Sequence, residues 1–208
     1  ITLSEEFGTG WQLISLPVRQ PCTNVPGNLF AYGSSYLRAD SLLPGRGYWK
    51  KFSSPGMRFI GYPVEAETIA VRAGWNIVGS ITTPVQKSAI GQLPLNNLSS
   101  LFFGYAGSYF AADTIRPGHA YWVKAKQNGL LILRPALAAE QATLPLALPS
   151  QRSLTIEDAA GNAQRLYLDD RPEIDPEEYL LPPLPPDRGF DARFLSGRMV
   201  ESSAGEGR

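Results

Sequence analysis

A chain of 208 residues has room for one large domain or two to three small ones, each able to bury a core. Acidic and basic residues cancel and together make up only 18% of the chain, which leaves no electrostatic footprint for nucleic acid. No apolar stretch approaches the roughly 18–20 residues of a membrane-spanning helix. The 20 glycines and 18 prolines fit a turn-rich all-β protein better than a helical one, and the single Cys22 excludes an intrachain disulfide.

The chain opens on Thr2-Leu3-Ser4-Glu5-Glu6-Phe7, which reads as a short edge strand ending at the turn Gly8-Thr9-Gly10. Ile1 is no initiator and no charged, then apolar leader follows it, so the expectation is a mature form or a fragment of a larger protein. Over residues 11–18 both faces are apolar: Trp11 and Leu13 point one way, Ile14, Leu16 and Val18 the other. That pattern predicts a strand covered on each side. Pro17 and Pro21 stop it, since proline cannot donate to a ladder, and residues 22–28 read as loop. Residues 29–32, the turn Gly33-Ser34 and residues 35–39 predict a hairpin. Pro44-Gly45 suits the centre of a type II turn, which launches a Tyr48-Trp49 strand. Residues 57–62 close the unit.

The pattern then starts again. Gly74-Trp75-Asn76-Ile77-Val78-Gly79 follows Gly10-Trp11-Gln12-Leu13-Ile14-Ser15 at an offset of 64. Residues 109–117 follow residues 36–44 at an offset of 73, and Gly118-His119-Ala120-Tyr121-Trp122-Val123-Lys124 follows Gly45-Arg46-Gly47-Tyr48-Trp49-Lys50-Lys51 at the same offset. The second copy is thus longer by about nine residues between the two landmarks. Residues 141–152, rich in proline, leucine and alanine, read as a boundary. Beyond it, residues 153–157, the turn Ala160-Gly161-Asn162 and residues 164–168 alternate as a clean hairpin. An acidic stretch follows, then Leu181-Pro182-Pro183-Leu184-Pro185-Pro186, which predicts polyproline II. Phe190, Ala192 and Phe194 share one face and predict a final strand.

The resulting expectation is an all-β chain. Two tandem related units, residues 1–64 and 65–140, pack as a pseudo-symmetric sandwich or barrel-like pair sharing a core. A linker at 141–152 leads to a smaller C-terminal β segment at 153–208.

Gly-Trp-x-Leu-Ile-Ser-Leu-Pro-Val from residue 10, followed by Tyr-x-x-Ala-Asp-x-Leu-x-Pro-Gly-x-Gly-Tyr-Trp-x-Lys from residue 36, resembles a repeat of large secreted surface proteins from Bacteroidetes/Chlorobi-type bacteria. The third part is similar to the segment that precedes a C-terminal secretion and sorting domain in such proteins. It carries Leu154-Thr155-Ile156, Asp158-Ala159-Ala160-Gly161-Asn162, Pro182-Pro183-x-Pro185-Pro186 and Phe190-Asp191-Ala192-Arg193-Phe194. The resemblance implies all-β modules, an extracellular or cell-surface location and export as sorting-domain cargo. It supplies no catalytic residues. The second copy departs from the pattern at His119 and Ala120.

Weighed residue by residue, no enzyme emerges. His119, the only imidazole, reads as an exposed turn histidine, and Cys22 as a partly buried thiol. The carboxylates of Asp169, Asp170, Glu173, Asp175, Glu177 and Glu178 read first as a solvated loop and second as a calcium site, without EF-hand spacing. Asp40 and Asp113 read as turn scaffold. On the repeated strand Tyr48 and Tyr121 take the buried face, while Trp49 with Lys51 and Trp122 with Lys124 take the other. That second face reads first as lysine stems covering core tryptophans and second as a stacking platform for a polysaccharide. The leading expectation is therefore a non-catalytic structural or adhesive module. It would join other copies of itself or surface proteins, into filaments, by strand exchange through Thr2, Leu3 and Phe7 at one end and Phe190 and Phe194 at the other. The alternative is a carbohydrate-binding module built on the two Trp-x-Lys pairs.

Overall fold

The computed structural model describes residues 1–20, 24–135, 152–169 and 175–202. The first repeat supplies β1 (Thr2–Glu5), β2 (Gly10–Ser15), β3 (Val18–Arg19), β4 (Asn24–Tyr32), β5 (Tyr36–Ser41), β6 (Gly47–Phe52), β7 (Met57–Ile60) and β8 (Tyr62–Pro63). The second supplies β9 (Glu67–Val71), β10 (Gly74–Val78), β11 (Val85–Gln86), β12 (Gly91–Leu93), β13 (Phe102–Tyr105), β14 (Tyr109–Ala112), β15 (Thr114–Ile115), β16 (Tyr121–Ala125) and β17 (Gly129–Leu133). The C-terminal segment adds β18 (Arg152–Glu157), β19 (Ala163–Asp169) and β20 (Val200–Ser202). The chain is all-β as its composition predicts, and no helix among the described residues is long and apolar enough to cross a membrane.

The sheets repeat as the sequence does. Strand order β2-β6-β4-β5 in the first copy recurs as β10-β16-β13-β14 in the second. The β1-β7 pair recurs as β9-β17, to which β12 adds a third strand. β12 lies between the two landmarks, so the extra length of the second copy is spent on widening this sheet. None of the sheets closes into a barrel, which leaves the sandwich-like arrangement.

The type II turn expected at Pro44-Gly45 is present and recurs at Pro117-Gly118 in the second copy. Arg46 donates its N–H to the Leu43 carbonyl and His119 to the Arg116 carbonyl, each at 3.3 Å. Gly45 and Gly118 take the second central position at φ +73° and +75°, open to glycine at no steric cost. The tyrosine hydroxyl of each copy accepts the N–H five residues back, Leu43 to Tyr48 and Arg116 to Tyr121, both at 3.1 Å. A phenylalanine would leave that turn amide without its acceptor, which explains a tyrosine on an otherwise apolar face. Asp40 and Asp113 each accept the hydroxyl of the next residue, Ser41 and Thr114.

The period-two reading of the strand faces holds. Ile14, Leu16 and Val18 join Tyr48 and Phe52 in a core belonging to the first copy. Val78, Tyr121 and Val123 lie in the matching core of the second. Trp11, Leu13, Trp49, Phe103 and Trp122 face a third cluster, shared by both copies and completed by Tyr179, Leu181, Met199 and Val200 of the C-terminal segment. Burying an indole of this kind removes about 150–250 Å² from water, about 4–6 kcal/mol of transfer free energy per side chain.

Three expectations need correction. Residues 190–194 form no strand: the Arg193 guanidinium folds back on the Asp191 carboxylate and also donates to the Pro182 carbonyl at 3.0 Å, a local lock that overrides the alternation of Phe190, Ala192 and Phe194. The last strand is instead β20, running parallel to β19. At the other end, Thr2 and Leu3 are already paired, with Ile60 and Phe59 of β7. Phe7 is buried, stacked on Phe52 at 5.1 Å and tilted against His119 at 4.7 Å, so this end is not free for exchange. His119 is accordingly half-buried rather than exposed. Cys22 and residues 141–151 lie outside the described residues, and the C-terminal hairpin begins at Arg152.

Candidate functional site

The centre of the molecule is an aromatic lattice related by a pseudo-two-fold axis. Tyr32 packs edge-on against Trp122 at 4.6 Å, and its equivalent Tyr105 against Trp49 at 4.8 Å. Tyr36 lies 6.5 Å from Trp122 and its equivalent Tyr109 lies 6.3 Å from Trp49. The tyrosines of each copy therefore cover the tryptophan of the other. Within a copy, Trp11 meets Trp49 and Trp75 meets Trp122, both at 89° between planes. Edge-to-face contacts of this type contribute about 0.5–1.5 kcal/mol each beyond area burial. The indole N–H groups of Trp11, Trp49 and Trp122 are buried without a hydrogen-bond acceptor among the described residues.

The backbone obeys the same axis. Ser15 donates to the Gly118 carbonyl at 2.7 Å, and its equivalent Gly79 donates to Gly45 at 3.0 Å. Bridges Ile14–His119 and Arg46–Val78 are likewise exchanged by it. On the axis only one methyl fits. A Cβ on Gly47 would stand 2.6 Å from the Ala120 Cβ and 2.3 Å from Ile77 Cγ2. The Gly47/Ala120 departure between the copies is thus a packing requirement.

The C-terminal segment crosses this axis as a strap. The hydroxyls of Tyr36 and Tyr109 donate to adjacent carbonyls, Leu184 and Pro183, both at 2.6 Å. Burial pushes the phenol pKa of both tyrosines well up, keeping them protonated donors. Lys51 pairs with Asp187 at 3.1 Å, and its equivalent Lys124 pairs with Glu177. Pro185 sits at φ −57° and ψ 151°, in the polyproline II region expected of this stretch, which leaves carbonyls free for the tyrosines.

These contacts decide the fate of the Trp-x-Lys pairs. Trp49 and Trp122 are 0% exposed, and their lattice and strap leave no indole face for a sugar ring. The Lys51 ammonium sits over Trp11, its cross-strand partner, at 5.5 Å, and both lysines reach strap carboxylates. The platform at these four residues is corrected to packing. Of the acidic stretch, Asp170 and Glu173 lie outside the described residues. Asp175 caps the Glu177 N–H at 3.0 Å, and among the described residues no three metal-ligating side chains gather.

A cleft of about 650 Å³ opens where the three segments meet. Gln12 and Glu6 come from the first copy, Phe110, Asp113, Arg116 and His119 from the second, and Asn162 from the C-terminal hairpin. The hairpin is pinned there by the Gln164 amide, which accepts the Tyr109 N–H at 2.9 Å and donates to the Tyr109 carbonyl at 2.8 Å. Asp158, held below the usual carboxylate range by its bonds from Asn162, shapes the turn. Burial first, and Arg116 second, depress the His119 pKa to about 4. His119 is therefore neutral at pH 7, and its 3.7 Å approach to Glu5 is not an ion pair there. Glu5 is itself raised by burial, an effect Arg116 partly offsets.

Sequence reasoning missed this cleft, although a signal was present. Gln12, Gly104, Phe110 and Arg116 line it, and the first or second copy carries Asn76, Ala31, Leu37 and Leu43 at the matching positions. No protein-family model, no curated protein and no solved structure matches the chain.

Proposed function

We propose that the chain is a non-catalytic structural or adhesive module of an extracellular or cell-surface protein, one that joins a second copy of itself by strand addition. Residues of both repeats and of the strap are committed to one shared core. The observation that carries the reading is the edge of the C-terminal sheet. Its order is β18-β19-β20, so the outer side of β18 pairs with no strand among the described residues. Every residue of β18 is exposed, Leu154 at 50% and Ile156 at 37%. An exposed, partly apolar edge is a template for another strand. Antiparallel pairing of two β18 strands about Thr155 sets Leu154 opposite Ile156 of the second copy, twice over, on one face. The edge thus replaces the two terminal segments as the joining element. The extracellular location rests on the repeat and strap resemblance.

Light scattering with electron microscopy of the native particle tests this. A closed dimer is expected, and Leu154→Lys with Ile156→Lys should reduce it to a monomer without lowering thermal stability, since both side chains are exposed. A wild-type monomer at high concentration would overturn it.

A further inference from the structure

We infer that the cleft between the repeats is a binding site for a neutral saccharide, with Gln12 as its buried polar anchor and Phe110 as its stacking surface. Gln12 is 6% exposed, lines the cleft, and its side chain makes no hydrogen bond to any described residue. Its counterpart shows what such an amide does when the protein uses it. Asn76 accepts the Arg72 N–H at 3.0 Å and donates to the Arg72 and Gly74 carbonyls at 2.8 and 2.9 Å. The Gln12 amide instead opens on the cleft with its donors and acceptor unused, and a ligand that both donates and accepts would satisfy it.

A sugar hydroxyl does both. The second requirement of a sugar, a flat apolar surface for the C–H face of the ring, is met by Phe110, which is 45% exposed. Its ring tip lies over Gly104, where a Cβ would stand only 2.4 Å from Cζ. Glycine at 104 lets the ring lie down against the sheet and present its other side to the cleft. Around these two residues charges of both signs line the cleft, Glu6 and Asp113 acidic and Arg116 basic. A ligand of either charge would meet a like charge there, whereas a neutral polyol can both donate and accept. The site is single: Leu37 replaces Phe110 and Leu43 replaces Arg116 in the first copy. This inference stands apart from self-assembly, which uses the β18 edge.

The test titrates the full chain with soluble neutral polysaccharides, a β-glucan, an α-mannan and a galactan, by affinity electrophoresis and calorimetry. At least one should bind. Phe110→Ala and Gln12→Met should each weaken it by about tenfold or more, and Leu37→Ala, at the matching position of the first copy, should not. Thermal melts confirm folding; should Gln12→Met unfold, the exposed Phe110→Ala decides. No binding to any of the three polysaccharides, binding that survives Phe110→Ala, or binding of peptides alone would overturn the inference.

Discussion

The two repeats share their strand order, turns, capping tyrosines and tryptophans, yet differ wherever the molecule does something only once. The aromatic lattice, the capped turns and the strap contacts keep the same residue in both copies: Tyr36 and Tyr109, Tyr48 and Tyr121, Trp49 and Trp122, Lys51 and Lys124. Among the positions that diverge are one on the axis, Gly47 and Ala120, and one on the cleft, Leu37 and Phe110. Identity at the former positions marks the frame, and the divergences at 47/120 and 37/110 mark a steric conflict and a surface with its own chemistry.

Breaking the frame gives the largest effect. Trp49→Ala and Trp122→Ala should each cost about 3–5 kcal/mol of unfolding free energy in chemical denaturation, because each removes a fully buried indole from the shared lattice. The two losses should agree within about 1 kcal/mol; a large inequality would mean that the lattice is not shared evenly. Next comes the axis. Gly47→Ala should destabilise by about 1–3 kcal/mol through overpacking against Ile77 and Ala120, and adding Ala120→Gly should recover part of that loss. Simple additivity of the two costs would show that the methyls do not meet.

The smallest effect concerns the third divergence, Arg46 against His119. A histidine whose pKa is depressed from 6.5 to about 4 takes its proton in the unfolded state first. Stability is then full above about pH 6.5 and falls as the pH drops toward 4, by about 1–2 kcal/mol after discounting for partial exposure and for the opposite contribution of Glu5. Denaturation midpoints across that window should flatten in His119→Gln. An unchanged slope would place the dependence on other groups.

The duplication was legible because Pro-Gly turns and Tyr-Trp strands recur at fixed offsets, and the strand faces because their period is two. The crossing of tyrosines onto the other copy's tryptophans was not. It joins residues 90 and 56 positions apart, and no local pattern encodes such a contact. A tryptophan beside a lysine at i+2 reads as a half-exposed face until carboxylates from residues 177 and 187 are seen to neutralise the lysines. The strap was foreseen as extended but not as a clamp, since a ladder-free segment carries no sign of what it lies upon. Gln12 was hidden differently: it reads as one more strand residue, and only comparison with Asn76 shows an amide left over.

The crossed packing of the lattice has the form of an isologous dimer interface folded into one chain. A true homodimer would have to place each new side chain twice, once in either subunit, and whatever spoiled the contact at the axis would spoil it doubly. Covalent fusion removes that obligation. With both halves on one chain, a methyl can be dropped at Gly47 and kept at Ala120, and an aromatic can be set at Phe110 without disturbing Leu37. Duplication here supplies the freedom to be lopsided.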